Sequence, residues 1–459
     1  MDNMKVLLVR PPAPNKLSFT GMLDNEPLEL EYLHTGLMRA GYEDYIFDYI
    51  CENKPFRQVL KKYNPDVVAI TGYLTQENVM KRMFAEAKKF RKSIVTLVGG
   101  VHAQLNYQRF YDENIDFIVR SESVDGFVDL IRMIESLKKK VKPSISPSEI
   151  NGLCHRDKSG NWIVNPYERV DINSLPIPER SFFYEHKHRF RYLDMTPMAT
   201  LKTSFSCPFD CKFCYCTLLN QGSYQVRDLD LVIEELRGIE VDNIQIVDDD
   251  FLVDKKRLWE FIRLVKENRI QKTYTCYARA DFVSQNKEIV QALVDIGFKY
   301  FLVGLEATSD KELLAYNKRT SVTNNEQAVR VIREAGGECI ALMIVGVEAT
   351  KEDFDRIYDW VVQNQVMHVT ISIFTPIPGT PLYEEYKDEI ISDNIEDWDF
   401  LHLVLEPKNL TKKQFYRHYY DLFMKLYKRA RKAGLYDFLD LKYFKRMLSR
   451  YLLRKMYLD

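Results

Sequence analysis

Half of the eight cysteines in this chain fall within ten residues: Cys207, Cys211, Cys214 and Cys216, in the stretch SCPFDCKFCYC. Clustered thiols in a chain with no secretory signal at its start point to metal or redox chemistry before disulfides. The spacing Cys207-x3-Cys211-x2-Cys214 serves zinc poorly, because structural zinc sites draw on two separated pairs of Cys or His. No second pair occurs, and no histidine lies nearer the cluster than His188. Three thiolates on one short loop suit a cubane iron–sulfur cluster that keeps one iron open, since thiolate is the ligand such iron favours. A structural loop or a zinc loop is the bland alternative. Cys216 breaks the spacing and reads as a packed thiol rather than a fourth ligand.

Residues 198–206, MATLKTSFS, form a candidate strand leading into this loop. Beyond it, strand-like runs at 243–247, 273–277, 300–305, 339–345 and 368–374 alternate with amphipathic stretches such as 255–266 and 325–335. Repeated βα units imply a parallel sheet, and six in succession suit an open barrel with its sites at the C-terminal strand ends. The cysteine loop takes that position after the first of the six. The chain has 459 residues, 46% hydrophobic and 29% charged, which leaves room for two to three domains with ample core. The longest apolar run, near 339–347, is far shorter than the ~20 residues of a membrane span. The expected location is the cytoplasm, and nucleic acid is not an expected partner.

Cys-x3-Cys-x2-Cys after a first barrel strand, with Phe213 before the last cysteine, resembles the radical S-adenosylmethionine (radical SAM) superfamily. IVDDDF at 246–251 ends the second strand, where that family binds the methionine amino group. YARAD at 277–281 ends the third, VGLEAT at 303–308 the fourth and MIVGVE at 343–348 the fifth. TPIPGTPL at 375–382 closes the sixth, as in many members that carry an N-terminal cobalamin domain. The resemblance covers 197–385. It implies that Cys207, Cys211 and Cys214 ligate a [4Fe–4S] cluster and that S-adenosylmethionine (SAM) chelates the open iron. Phe213, Asp248, Asp249, Asp250, Arg279, Glu306 and Gly346 would then form the SAM site. The aspartates suit the ammonium and Arg279 the carboxylate. Glu306 would accept from the ribose hydroxyls, and Gly346 would let the backbone approach the adenine. Each has a bland reading as well: the aspartates cap the next helix, Arg279 only pairs with Asp281, and Glu306 bonds within its loop. Asp-Asp-Asp departs from the family's usual Gly-Gly-Glu.

The N-terminal third is a second unit. MKVLLV at 4–9 reads as a strand, and LELEYLHTGLMRAG at 28–41 as an amphipathic helix stopped by glycine. Strands follow at 45–50, 67–71, 94–98 and 117–119, giving five βα units and an open doubly wound sheet. Its C-terminal strand ends read RPP, TGYLTQ, GGVHA and SES. No G-x-G-x-x-G follows the first strand, which weakens a dinucleotide reading. Placed before a radical SAM barrel, this unit resembles the cobalamin-binding domain of that subfamily, although the Asp-x-His-x-x-Gly motif is absent. The resemblance implies cobalamin with its own base displaced and no protein histidine on cobalt. Thr71, Thr75, Gly99 and Gly100 would line the nucleotide tail, and Tyr73 or Leu74 would lie under the corrin. The alternative is a Rossmann-like domain without a cofactor. His102 reads as a hydrogen-bonding turn residue.

The implied architecture is α/β: an N-terminal doubly wound Rossmann-like cobalamin domain (1–140), a linker with a β-hairpin (141–196), a partial (β/α)6 radical SAM barrel (197–385) and a C-terminal basic helical segment (386–459). Over 411–459, 14 Lys/Arg stand against four Asp/Glu, a net +10 (14 − 4). A helix over 441–458 is expected there, either as a lid on the barrel or as a peripheral contact with an anionic membrane. By resemblance the protein is a cobalamin-dependent radical SAM C-methyltransferase. Reductive SAM cleavage would give a 5′-deoxyadenosyl radical that activates an unactivated carbon, and methylcobalamin would supply the methyl group. A small-molecule or lipid substrate and a reductant such as flavodoxin or ferredoxin are the implied partners. The alternatives are a radical SAM oxidoreductase or cyclase using cobalamin without methyl transfer, and a non-catalytic iron–sulfur and corrinoid-binding protein.

Overall fold

The run KVLLVR makes β1 (Lys5–Arg10), and its four central residues are buried. A strand apolar on both faces needs layers on both sides, which a parallel sheet flanked by helices provides. The computed structural model describes residues 4–14 and 23–435. In it β1 lies inside a seven-stranded sheet with β2 (Glu43–Asp48), β3 (Val67–Thr71), β4 (Val95–Gly99), β5 (Phe117–Val119), β6 (Leu153–Arg156) and β7 (Trp162–Val164), in the order β2-β1-β3-β4-β5-β6-β7. The first five are parallel. Their order reverses between β1 and β3, the switch point at which open α/β sheets hold ligands. The expected linker hairpin is β6 and β7, and it belongs to this sheet rather than to a free connection. Leu153 and Cys154 pair antiparallel with Val119 and Ile118 and are fully buried, so the hairpin covers the apolar edge that a three-residue β5 leaves.

The second sheet is six-stranded and all parallel: β8 (Met198–Leu201), β9 (Asn243–Ile246), β10 (Thr273–Arg279), β11 (Phe298–Glu306), β12 (Glu338–Val345) and β13 (His368–Ile373), in chain order. This is the partial barrel, open between β8 and β13. The stretch 198–206 is not one strand. β8 stops at Leu201, and Ser204–Phe205 pairs antiparallel with Gln225–Val226, which pinches the cysteine loop at its base.

The two units are joined through buried charge. Arg180 donates to Glu26 of the first unit and, at 2.6 Å, to Glu235 of the second. Glu26 also accepts from the amide and hydroxyl of Thr200 in β8, and Arg227 donates to the other oxygen of Glu235. All four charged side chains are at most 5% exposed. Glu31 lies beside them, and burial together with Glu26 holds its carboxyl well above the usual carboxylate range. Its Oε2 lies 3.8 Å from Arg180 Nη1.

After the barrel, Thr380 caps a short helix, Pro381–Tyr386, as expected, and the chain then returns in loops along β13. Ile373 N–H donates to Phe400 C=O at 2.7 Å, and the turn Ile395–Asp397 packs on the turn Leu74–Gln76 of the first unit. A capped helix, Lys412–Lys432, follows and buries Phe415, Tyr416, Tyr419 and Leu422, with Tyr419 donating to Ile371 C=O at 2.7 Å. The expected helix at 441–458 lies outside the described residues. No helix among the described residues is long and apolar enough to cross a membrane. Arg180→Ala leaves Glu26 in the interior without a cation and Glu235 with Arg227 alone. It is expected to lower stability by about 3–5 kcal/mol, read from urea unfolding.

Candidate cofactor site

Cys207, Cys211 and Cys214 all lie on the loop at the C-terminal end of β8, and none forms a disulfide. Three neighbours hold this loop. Asp248, at the end of β9, accepts from Thr203 N at 2.6 Å, Ser204 N at 3.0 Å and the Thr203 hydroxyl. Its oxygens are thus spent on the loop's base. Lys212 N donates to Tyr316 C=O at 3.0 Å, and Asn317 Nδ2 to Asp210 C=O at 3.1 Å, so residues 316–319 strap the loop from the far side. Arg279 at the end of β10 ties the two together: Nη2 donates to Lys318 C=O at 2.5 Å, and Nη1 lies 3.5 Å from Cys211 Sγ. The Arg279 guanidinium also pairs with Asp281 and stacks 3.9 Å from the Phe209 ring centre.

This environment fits an iron–sulfur cluster. Burial pushes the Cys207 thiol up to about 12 and raises Cys211, but Lys318 and Arg279 oppose the rise at Cys211. Two cations beside a sulfur are what a metal-bound thiolate needs for charge balance. Cys216, on the turn after Cys214, is a free, half-buried thiol held up by Cys214, burial and Asp249. Among the described residues, no group of three or more His, Cys, Asp or Glu is drawn together for a single metal ion.

The three aspartates divide. Asp248 is a brace. Asp250 is 2% exposed; one oxygen accepts from Leu252 N at 3.2 Å and Oδ2 has no partner. Burial holds its carboxyl up at about 7 against the pull of Arg279 and Lys318. An orphaned buried carboxyl of this kind suits a cationic ligand such as an ammonium. Asp249 Oδ2 is also without a partner, and Asp249 lines the neighbouring cleft instead. None of them caps the next helix, Lys255–Glu267; Asp254 does, accepting from Arg257 N at 2.8 Å.

Glu306 sits at a register shift in β11 with φ 60°, and Lys318 donates to it at 2.7 Å. Phe213 packs edge-on against Tyr316 at 5.5 Å. At Gly346 an added Cβ would meet only the Tyr316 hydroxyl, at 3.4 Å, so the protein itself does not demand glycine there. Lys318 was not foreseen from the sequence. It lies in a short turn between Asn317 and Arg319, both left-handed at φ 51° and 54°, where no hydrophobic period marks a buried cation.

A cleft of about 810 Å³ opens at the C-terminal ends of β1, β3, β4 and β5, and Tyr215, Asp249 and other barrel residues form its opposite wall. Thr71, Tyr73, Gly99 and Gly100 line it. Leu74 and Thr75 do not: Leu74 packs on the barrel core through the turn that meets Ile395–Asp397. Of the two residues expected under a corrin, only Tyr73 faces the cleft; it is 61% exposed, into the cavity. Gly100 has φ 88°, and a Cβ there would lie 2.3 Å from Thr71 Oγ1, so glycine is required. His102 is buried and braced at both nitrogens, 2.9 Å from Glu77 Oε2 and 3.3 Å from Asn106 Nδ2. Against burial, hydrogen bonds from His102, Arg109 and Lys81 bring Glu77 down to about 2.

Replacing Cys207, Cys211 or Cys214 by Ala is expected to abolish iron loading and the visible absorption after anaerobic reconstitution, while Cys216→Ala keeps both. Full iron in Cys211→Ala would refute the ligand set. Paramagnetic resonance of the cob(II)alamin-loaded protein is expected to show no axial nitrogen splitting. A nitrogen signal that disappears in His102→Ala would contradict the bracing role of that histidine.

Residues 201–361 match the radical SAM superfamily, and residues 20–131 match the B12 binding domain. The chain is 28% identical over 433 residues to the hopanoid C-3 methylase of Methylococcus capsulatus, covering 93% of this chain and 81% of that one. It is 26% identical over 416 residues to the anaerobic magnesium-protoporphyrin IX monomethyl ester cyclase of Cereibacter sphaeroides, covering 86% of this chain and 67% of that one. The solved structure of the cobalamin-dependent S-adenosylmethionine radical enzyme OxsB, with aqua-cobalamin and SAM bound, shares the fold at a TM-score of 0.71 and 16% identity. That alignment covers 91% of this chain and 66% of OxsB. With a B12-binding domain followed by a radical SAM domain along one chain, the protein belongs to the cobalamin-dependent radical SAM family.

Proposed function

We propose that this enzyme is a C-methyltransferase acting on an unactivated carbon of a largely apolar small molecule or lipid. One observation carries the reading: the cysteine loop and the N-terminal cleft share a wall, where Tyr215, Ser206 and Asp249 of the barrel face Tyr73 and Gly100 of the first unit. When bound, the cluster and SAM supply a carbon-centred radical and cobalamin supplies the methyl group. The chain's own part is to bind, orient and exclude water. Asp250 receives the SAM ammonium through its unpartnered oxygen, while Arg279 and Lys318 offer cations to the carboxylate. Glu306, steadied by Lys318, accepts from the ribose. Tyr73 supports the corrin face, and Thr71, Gly99 and Gly100 line the nucleotide tail. Asp249, set apart from Asp250, faces the space between the cofactors. Holding the reacting carbon there is required, because a radical reacts faster than a substrate can diffuse into place.

The hopanoid C-3 methylase among the relatives supports methyl transfer and a lipid substrate. The cyclase relative supports a second reading, a cobalamin-using radical cyclase or oxidoreductase that transfers no methyl group. The cytoplasm is the proposed setting, with flavodoxin or ferredoxin as electron donor.

Anaerobic incubation with methyl-labelled SAM, a reductant and a host lipid extract is expected to give a labelled product together with 5′-deoxyadenosine. 5′-Deoxyadenosine with no label outside SAM and cobalamin favours the cyclase reading, and absence of both refutes radical catalysis. Asp250→Asn removes a charged hydrogen-bond partner worth roughly 1.5–3 kcal/mol and is expected to weaken SAM binding about 10- to 100-fold in equilibrium dialysis. Unchanged binding would reassign the ammonium site.

A further inference from the structure

Glu122 follows β5 on one side of the cleft, and Asn220 closes the cysteine loop on the other. The Tyr167 hydroxyl donates to Glu122 Oε2 at 2.5 Å, and Gln104 Nε2 donates both to Glu122 and, at 3.0 Å, to Arg120 C=O. With its amide nitrogen turned to this carboxylate, 3.3 Å from Oε2, Asn220 presents its oxygen to the Ser206 hydroxyl at 3.1 Å. Asn220 N also lies 3.4 Å from Gln104 Oε1. Ser206 directly precedes Cys207. A run of hydrogen bonds therefore leads from the wall of the N-terminal cleft to Ser206, whose hydroxyl also donates to Leu219 C=O at 2.8 Å and whose backbone continues into Cys207.

Two features make this run more than a brace. Ser206 and Asn220 are both left-handed, at φ 59° and 53°, and they stand at the two ends of the loop that carries the cysteines. Side-chain-bearing residues keep that conformation only where surrounding contacts over-determine it. The contact between the two side chains is one of these, beside the Ser206 hydroxyl's donation to Leu219 C=O at 2.8 Å and the Ser223 N–H donation to Asn220 C=O at 3.0 Å. In addition, Gln104, Glu122, Ser206 and Asn220 all line the cleft. A molecule seated there presses on the same groups that set the loop's ends, and a corrin edge, rich in carboxamides, matches their mixture of donors and acceptors.

We propose that Glu122, Asn220 and Ser206 couple the two cofactor sites, so that a cluster on the cysteine loop tightens cobalamin binding and cobalamin tightens the cluster. The inference rests on the cobalamin role given to the cleft above. Linkage makes the effect reciprocal: whatever factor one cofactor contributes to the other's affinity is returned. Asn220 and Ser206 act as positioning residues, setting Cys207 through the backbone rather than touching iron or cobalt.

The test is titration of hydroxocobalamin into the full chain, with and without an anaerobically reconstituted cluster, followed by visible absorption. The cluster is expected to lower Kd about five-fold or more. Asn220→Gly and Ser206→Gly keep the left-handed backbone and remove only the side chain, so each is expected to hold iron and, whatever its own affinity for hydroxocobalamin, to bring the ratio of Kd with and without the cluster to about one. A ratio of one in the unaltered protein, or the full ratio in both glycine variants, overturns the proposal. Iron release to a chelator, measured on the unaltered protein with and without hydroxocobalamin, needs no variant: slower release is expected, and an unchanged rate also overturns it. Failure to bind hydroxocobalamin at all would strike the functional reading instead.

Discussion

Arg180 is the residue on which the arrangement of the two units depends. It reaches a carboxylate from each, Glu26 and Glu235, in a region with almost no solvent. A guanidinium can be buried only where hydrogen-bonded anions meet it, and its planar fork sets the directions from which they come. Glu26 reads the edge of β8 through Thr200 as well, so the start of the barrel is registered against the loop before the first helix. Apolar contacts alone would tolerate sliding between two α/β units. Paired buried charges do not, because a small displacement leaves a charge uncompensated. The cleft and the cysteine loop owe their shared wall to this constraint.

Within that frame, the cysteine loop is held from outside more than by its own sequence. Asp248 fixes its base, the strap 316–319 its far side, and Arg279 links strap to sulfur. Two of the strap's residues are left-handed, a conformation that side-chain-bearing residues adopt at an energetic cost. The same strap brings Lys318 to Glu306. A loop anchored this firmly can present three thiols in fixed positions and still leave one side of the site free for a second ligand.

Much of this was legible in the chain. The buried runs located ten of the eleven parallel strands to within about two residues, since a strand covered on both faces must be apolar along its length, while the expected strand 198–206 stops five residues early at Leu201. GGVHA announced the tight turn at Gly100, because a Cβ there collides with Thr71. The aspartate triplet was legible only as a group. Consecutive residues at a strand end point in different directions, and which one meets Thr203, which the cleft and which the interior depends on elements far away in sequence. Tyr73 and Leu74 divided for the same reason: Leu74 is drawn to the barrel core by the turn at 395–397, which leaves Tyr73 to the cavity.

The spacing of Cys207, Cys211 and Cys214, the order of two βα series and the glycine turns determined by themselves what chemistry this chain can support and on which kind of sheet. These are local properties, written in distances of a few residues and in the period of hydrophobic side chains. The tertiary structure alone decided which groups share a site. Lys318, Glu122 and Asn220 carry no motif and follow no period, and they meet their partners across 12, 98 and 14 residues of chain at Glu306, Asn220 and Ser206. Such meetings are settled by how two whole units bury their surfaces and balance their charges, a sum over the entire interface that no short stretch of sequence contains.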